Sequence, residues 1–138
     1  VVDRELRYVR VNDHLAEING VPAAAHVGRR VREVVPAIAD PAEAAFRHVL
    51  DGGEALRGVE LTGETPAQPG VVRTWRADWL PLRDAAGTVV GVHVVAEEVT
   101  AARAAATERE RLLAETRAAL AALAASERQA RTVAENAT

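Results

Sequence analysis

The chain has 138 residues, a length that suggests one domain plus an appendage. With 49% hydrophobic and 27% charged residues and a net charge of −3, it reads as an ordinary soluble globular chain, with nothing that marks a binder of nucleic acid or of an anionic membrane. There is no cysteine, which excludes a disulfide framework, thiolate zinc or iron–sulfur sites, a cysteine nucleophile and a flavin–cysteinyl adduct.

Residues 1–12 are expected to form two short strands around a turn: Val1-Val2, then the strand-rich run Tyr8-Val9-Arg10-Val11-Asn12. Leu15, Ile18 and Val21 suggest a short helix ended by Asn19-Gly20, with Pro22 just after. Val31, Val34 and Val35 suit another helical turn, stopped by Pro36. Asp40 is a plausible N-cap and Pro41 a first helical residue. The helix that follows would bury Ala45, Phe46, Val49 and Leu50 and end at Gly52-Gly53. Val59 and Leu61 alternate with Glu60 and Thr62 as in a strand, and residues 63–70 form a Pro/Gly loop. Val71 to Leu82 reads as a long strand, Asp84 to Gly87 as a hairpin turn, and Thr88 to Thr100 as a second long strand. The fold class is therefore α+β, with helices on one face of an antiparallel sheet.

Residues 101–137 contain neither glycine nor proline and read as one helix of about 55 Å, far longer than a small domain needs to cover its core. An apolar phase of three- and four-residue steps runs through Val99, Ala102, Ala106, Arg109, Leu113, Thr116, Leu120 and Leu123, with Arg109 and Thr116 as weak points. It fits a coiled-coil seam; a solvated single helix is the alternative. Arg111/Glu115 and Glu127/Arg131 are i,i+4 pairs that would add local support. No apolar run reaches the ~18 residues of a membrane span, so a cytoplasmic module is expected, although its parent could be anchored elsewhere. The chain opens on Val1 without methionine and ends without a stop signal, as a piece of a longer protein would.

Taken in order, these pieces resemble a PAS domain over residues 1 to about 100. Tyr8 to Asn12 looks like the second PAS strand, Gly28-Arg29-Arg30-Val31 like the step into the next short helix, and Arg83 to Val92 like the hairpin of the last two strands. Glu98-Val99-Thr100 sits where many PAS domains carry Asp-Ile-Thr. Ile18 to Pro22 and Gly63 to Gly70 resemble the PAS fold-4 subgroup of bacterial sensors, which stand upstream of histidine kinase, diguanylate cyclase or phosphatase units. The resemblance implies a five-stranded antiparallel sheet with its first strand cut short, a sensor domain over 1–100 and a signalling helix over 101–125. Residues 126–138 resemble the helix that leads into a following PAS domain. A homodimer through the C-terminal helix is implied as well, and no particular ligand.

Strand parity puts Trp75, Ala77 and Trp79 on one face, with Val92, Val94 and Ala96 beside them. The candidate pocket is Trp75, Trp79, Phe46, Ile18, Val35, Val94 and Ala96. The indoles either wall a ligand site or fill the space that a ligand would need. His48 lies where haem-binding PAS domains carry their ligand, but Phe46, Val49 and Leu50 compete for the buried face, so His48 is expected to point outward and haem is not favoured. His14 and His26 are expected on the surface, and His93 on the outer face of the sheet. Glu97 and Glu98 point to opposite faces and form no acid/base pair; no nucleophile, phosphate loop or metal-ligand spacing is present, so no catalytic or metal residue is assigned. The signal junction is Glu98 and Thr100, with Thr100 as N-cap of the output helix and Arg76 or Arg4 as possible partners of Glu98. The reading is a sensory relay rather than an enzyme; a ligand-free dimerisation and spacing module is its rival.

Overall fold

The computed structural model describes residues 1–137, which form two compact units, 1–100 and the stretch from Ala101 onward. The elements of the first unit are β1 (Val2–Asp3), α1 (Asp13–Asn19), α2 (Ala23–His26), α3 (Val31–Val34), a 3-10 turn (Pro36–Ile38), α4 (Ala39–Gly52), β2 (Leu56–Gly63), β3 (Arg73–Arg83) and β4 (Val89–Glu98). The strands form one antiparallel sheet in the order β1-β4-β3-β2.

The sheet has four strands, not the expected five. Residues 8–12 do not form a strand because β1 offers them almost no ladder. Tyr8 meets it at a single bridge to Val2, and the N–H of Tyr8 turns to the carbonyl of Arg29 instead. The turn before it is tight: Leu6 has φ 62°, and the Asp3 carboxylate accepts from the N–H groups of Glu5 and Arg7.

α1 starts where Asn12 Oδ1 accepts from the Leu15 N–H at 2.9 Å, and it ends at Gly20 in the left-handed region, φ 76°. A Cβ at Gly20 would lie 2.3 Å from the backbone nitrogen of Ala67, so this glycine also lets the 63–70 loop dock. α4 begins two residues earlier than expected. The 3-10 turn runs directly into it, leaving Asp40 inside the first turn rather than at the cap, where Pro41 costs no hydrogen bond. Its buried face is Ala42, Ala45, Phe46, Val49 and Leu50, at three- and four-residue steps, and each large member contributes about 1.5–3 kcal/mol of burial.

On the sheet, cross-strand pairs share a face. Trp75 lies opposite Glu98, Ala77 opposite Ala96 and Trp79 opposite Val94. Trp75, Ala77 and Trp79 are buried against the helices, whereas Arg76 and His93 are exposed on the other side. The core joins this face to α3, α4, Val2 and Tyr8.

The second unit is α5 (Thr100–Glu135), whose first residue belongs to the first unit. It buries none of its residues; Leu113, Leu120 and Leu123, expected to form a seam, are 47%, 62% and 56% exposed. Arg111 bonds Glu115 at 2.5 Å and also Glu108. Of the 126–138 stretch, Thr138 lies outside the described residues. Among the described residues, no helix is long and apolar enough to cross a membrane.

Candidate functional site

The helices and the inner face of the sheet line a cavity of about 60 Å³ that opens to one side. All seven residues expected to form a pocket line it: Ile18, Val35, Phe46, Trp75, Trp79, Val94 and Ala96. Strand parity brings four of them from β3 and β4, α4 supplies Phe46, and α1 and the residue after α3 supply Ile18 and Val35. Tyr8 and Asn19 also line it, and sequence reasoning did not assign them; Ala77, which strand parity put on this face, lines it as well. The volume is well below the ~300–1,000 Å³ of typical small-molecule sites. Phe46 packs edge-on against Trp79, ring centroids 6.4 Å apart, and takes up part of the space.

The polar atoms of the wall are unusual. The indole N–H groups of Trp75 and Trp79 are both buried without an acceptor. A buried donor without a partner costs about 1–3 kcal/mol. Tyr8 is 5% exposed, and burial pushes its hydroxyl up to about 12, opposed by the polar Asn19 side chain beside it.

His26, expected on the surface, is fully buried. Its Nδ1 lies 2.9 Å from the Pro22 carbonyl, which can only accept, so Nδ1 carries the proton and Nε2 accepts from Asn19 Nδ2 at 3.0 Å. The ring also meets Tyr8 edge-on at 5.0 Å. The ring thereby positions Asn19 at the cavity. His14, His48 and His93 are exposed.

Because Tyr8 is the only tyrosine and the chain has no lysine or cysteine, alkaline titration reads Tyr8 almost alone. Its folded value of about 12 lies above the ~10 of an unfolded tyrosine, so folding favours the protonated hydroxyl. That contribution, roughly 2–3 kcal/mol, is fully present below pH ~10 and is lost as pH rises toward 12. We expect tyrosinate absorbance to rise near pH 12 in the native protein, and the unfolding free energy to fall between pH ~10 and 12 in the parent but not in Tyr8→Phe. Absorbance titrating near pH 10 in the folded protein would contradict this.

The Glu98–Thr100 segment, expected to be a signal junction, is held by a residue that sequence reasoning missed. Arg73, 7% exposed, reaches Glu98 with Nη1 at 3.1 Å. Its Nη2 donates to the Ile18 carbonyl at 3.1 Å and to Thr65 Oγ1 at 2.5 Å, and the Thr65 hydroxyl in turn donates to the same carbonyl at 2.6 Å. The guanidinium lies 4.8 Å from the Trp75 ring centroid, and its Nε is buried without an acceptor. Neither expected partner of Glu98 reaches it. Arg76 is on the opposite face and pairs with Glu60, and Arg4 donates to the Val89 and Leu50 carbonyls. Parity was the available signal: Arg73, Trp75 and Glu98 share the inner face. Thr100 is the first residue of α5 rather than the residue before it, and its hydroxyl accepts from the Thr74 N–H at 2.9 Å. The Val99 N–H donates to the Thr74 carbonyl at 2.8 Å. The end of β4 is thus fastened to β3 next to Arg73 and Trp75. Among the described residues, no group of histidines and carboxylates is placed to hold a metal ion.

The model of the PAS_4 family, described as a PAS fold, matches residues 1–104. No curated protein matches the chain. Among solved structures, an RNA-binding Light-Oxygen-Voltage receptor superposes with TM-score 0.66 at 22% identity, over 82% of this chain and 32% of that one. The Vibrio cholerae VqmA dimer, studied without its target DNA, gives 0.63 at 22% identity, over 73% of this chain and 45% of that one. The PAS domain of a Colwellia psychrerythraea protein gives 0.60 at 14% identity, over 72% of this chain and 83% of that one. The chain spans less than half the length of the VqmA and light-receptor chains. At these identities the structural likeness speaks to the fold alone, and it agrees with the family match: the chain belongs to the PAS_4 family of PAS domains.

Proposed function

We propose that this PAS domain senses a small molecule in the cavity and passes its presence through Arg73 to the Glu98–Thr100 junction and the α5 helix. One observation carries the reading. A single buried arginine bonds the Ile18 carbonyl, lies against Trp75 and pairs with Glu98, so two cavity-wall residues and the end of β4 share one side chain. An occupant that shifts Trp75 or Ile18 changes what Arg73 offers Glu98, and two arrangements of that network would bias the helix that follows. In this reading 1–100 is the sensor, and 101–125 a signalling helix that pairs with a second copy along its heptad seam. Residues 126–138 lead into a following PAS domain. The effector (histidine kinase, diguanylate cyclase or phosphatase) stands further along a cytoplasmic bacterial protein, and the module itself is regulatory rather than catalytic. VqmA, described as bound to DPO and as a dimer, is a precedent for a ligand-bound protein that contains the same fold.

The small cavity and the Phe46–Trp79 contact favour a second reading, a ligand-free dimerisation and spacing module. Native mass spectrometry of protein purified from its natural host, with thermal shift across a metabolite panel, separates the two. A retained compound or a stabilising metabolite is the expected result. Neither, from a chain that sediments as a dimer, would leave the spacing role; a monomer at high micromolar concentration would remove the dimer from both.

A further inference from the structure

We propose that the cavity selects a small, uncharged, largely apolar molecule that carries hydrogen-bond acceptors, held by the indole N–H groups of Trp75 and Trp79 above a floor made by Ala77 and Ala96. This rests on reading the cavity as a ligand site and adds the chemical class of what it takes. Both tryptophans are almost fully buried, 2% and 1% exposed, and both N–H groups lack an acceptor. An indole N–H only donates, so the complementary group must be an acceptor. The two residues lie four apart on one strand face, about 13 Å along β3. Between them stands Ala77, with Ala96 directly across the ladder. Two methyl side chains between the indoles leave room above the sheet.

Charge narrows the class. Among the described residues, no charged side chain lines the cavity. The Arg73 guanidinium, which lies against Trp75, is already paired with Glu98 and bonded to Thr65 and Ile18. A bound ion would lose its hydration without gaining a counter-charge, so the occupant is neutral. Its size is bounded by the present 60 Å³ plus whatever Phe46 yields by withdrawing from Trp79.

The test uses the whole chain and three probes of similar size: acetophenone, with one acceptor; ethylbenzene, with none; and benzoate, an anion. With two tryptophans in the chain, the ¹H–¹⁵N spectrum has two indole cross-peaks to follow. Acetophenone should move at least one of them downfield and bind up to about tenfold more tightly than ethylbenzene, as one hydrogen bond allows. Benzoate should bind most weakly. Trp75→Phe and Trp79→Phe keep an aromatic ring and lose the donor, so the preference for acetophenone should shrink in at least one of them while ethylbenzene binding persists. Ala77→Val, which raises the floor, should weaken both neutral probes. Equal binding of the two neutral probes, or tighter binding of benzoate, would overturn the acceptor rule and leave a ligand site standing. Acetophenone binding untouched by Ala77→Val would place it elsewhere and overturn the proposal. Failure of every probe to bind or to move an indole peak would count against the cavity as a ligand site altogether.

Discussion

Arg73→Met should lower the unfolding midpoint of the domain by roughly 10–20 °C, the effect of losing about 2–4 kcal/mol from a unit of this size. Methionine fills much of the arginine volume, so packing is nearly conserved and the loss is polar. The buried Ile18 carbonyl keeps only its bond from Thr65, and Glu98, 44% exposed, faces the core without a counter-charge. Partial exposure of Glu98 keeps the effect below that of a fully buried broken pair. Arg73→Lys should fall between, because an ammonium can reach Glu98 or Thr65 but cannot fork to both as the guanidinium does. Thermal or urea denaturation reads all three proteins. The variant also tests the relay. If a ligand stabilises the parent and slows amide exchange at Val99, Arg73→Met should still bind but lose the change at Val99. A midpoint within a degree or two of the parent would show that Arg73 does not hold the loop, helix and strand together.

Gly20→Ala carries the second large effect, and Gly28→Ala supplies its control. Both glycines have positive φ, 76° and 83°, so both alanines pay about 1–2 kcal/mol for the left-handed backbone. They differ in surroundings. Nothing lies within 4 Å of a Cβ at Gly28, whereas at Gly20 the new carbon would overlap the Ala67 backbone. The 63–70 loop must therefore retreat, at roughly 1–3 kcal/mol more. It is the loop that carries Thr65, so the Arg73 network loosens as well. Gly20→Ala should unfold at least ~5 °C below Gly28→Ala, since about 1 kcal/mol moves a domain of this length by ~4–8 °C. Equal midpoints would mean that the loop adapts without cost.

Much of this arrangement was legible in the sequence. Period-two alternation placed both tryptophans and Ala96 on the inner face, and three-and-four spacing chose the buried face of α4 with Phe46 on it. Glycine at 20 and at 52–53 marked two helix ends. The missing elements depend on contacts between distant segments. Residues 8–12 have strand-forming side chains but too little of β1 to pair with, and propensity without a partner forms no strand. His26 looks like a surface residue of a short helix; it is buried only because Pro22, Asn19 and Tyr8 converge on it. Arg73 opens a strand, where an arginine ordinarily faces water. Its acceptors come from α1, the 63–70 loop and β4, 55, 8 and 25 residues away in the chain. Only its parity with Trp75 pointed inward.

The alanine pair beneath the cavity separates two properties that evolution could otherwise change only together. The ladder through Ala77 and Ala96 is made by backbone groups and is indifferent to the side chains above it. Neither alanine bonds to Arg73, Glu98, Thr65 or Thr100. A methyl or two gained at either position resizes the chamber and leaves the connection to the helix intact. On the proposed reading, single-codon steps at positions 77 or 96 retune which small molecule fits while the Arg73–Glu98 pair and the Thr74–Thr100 bond stay as they are.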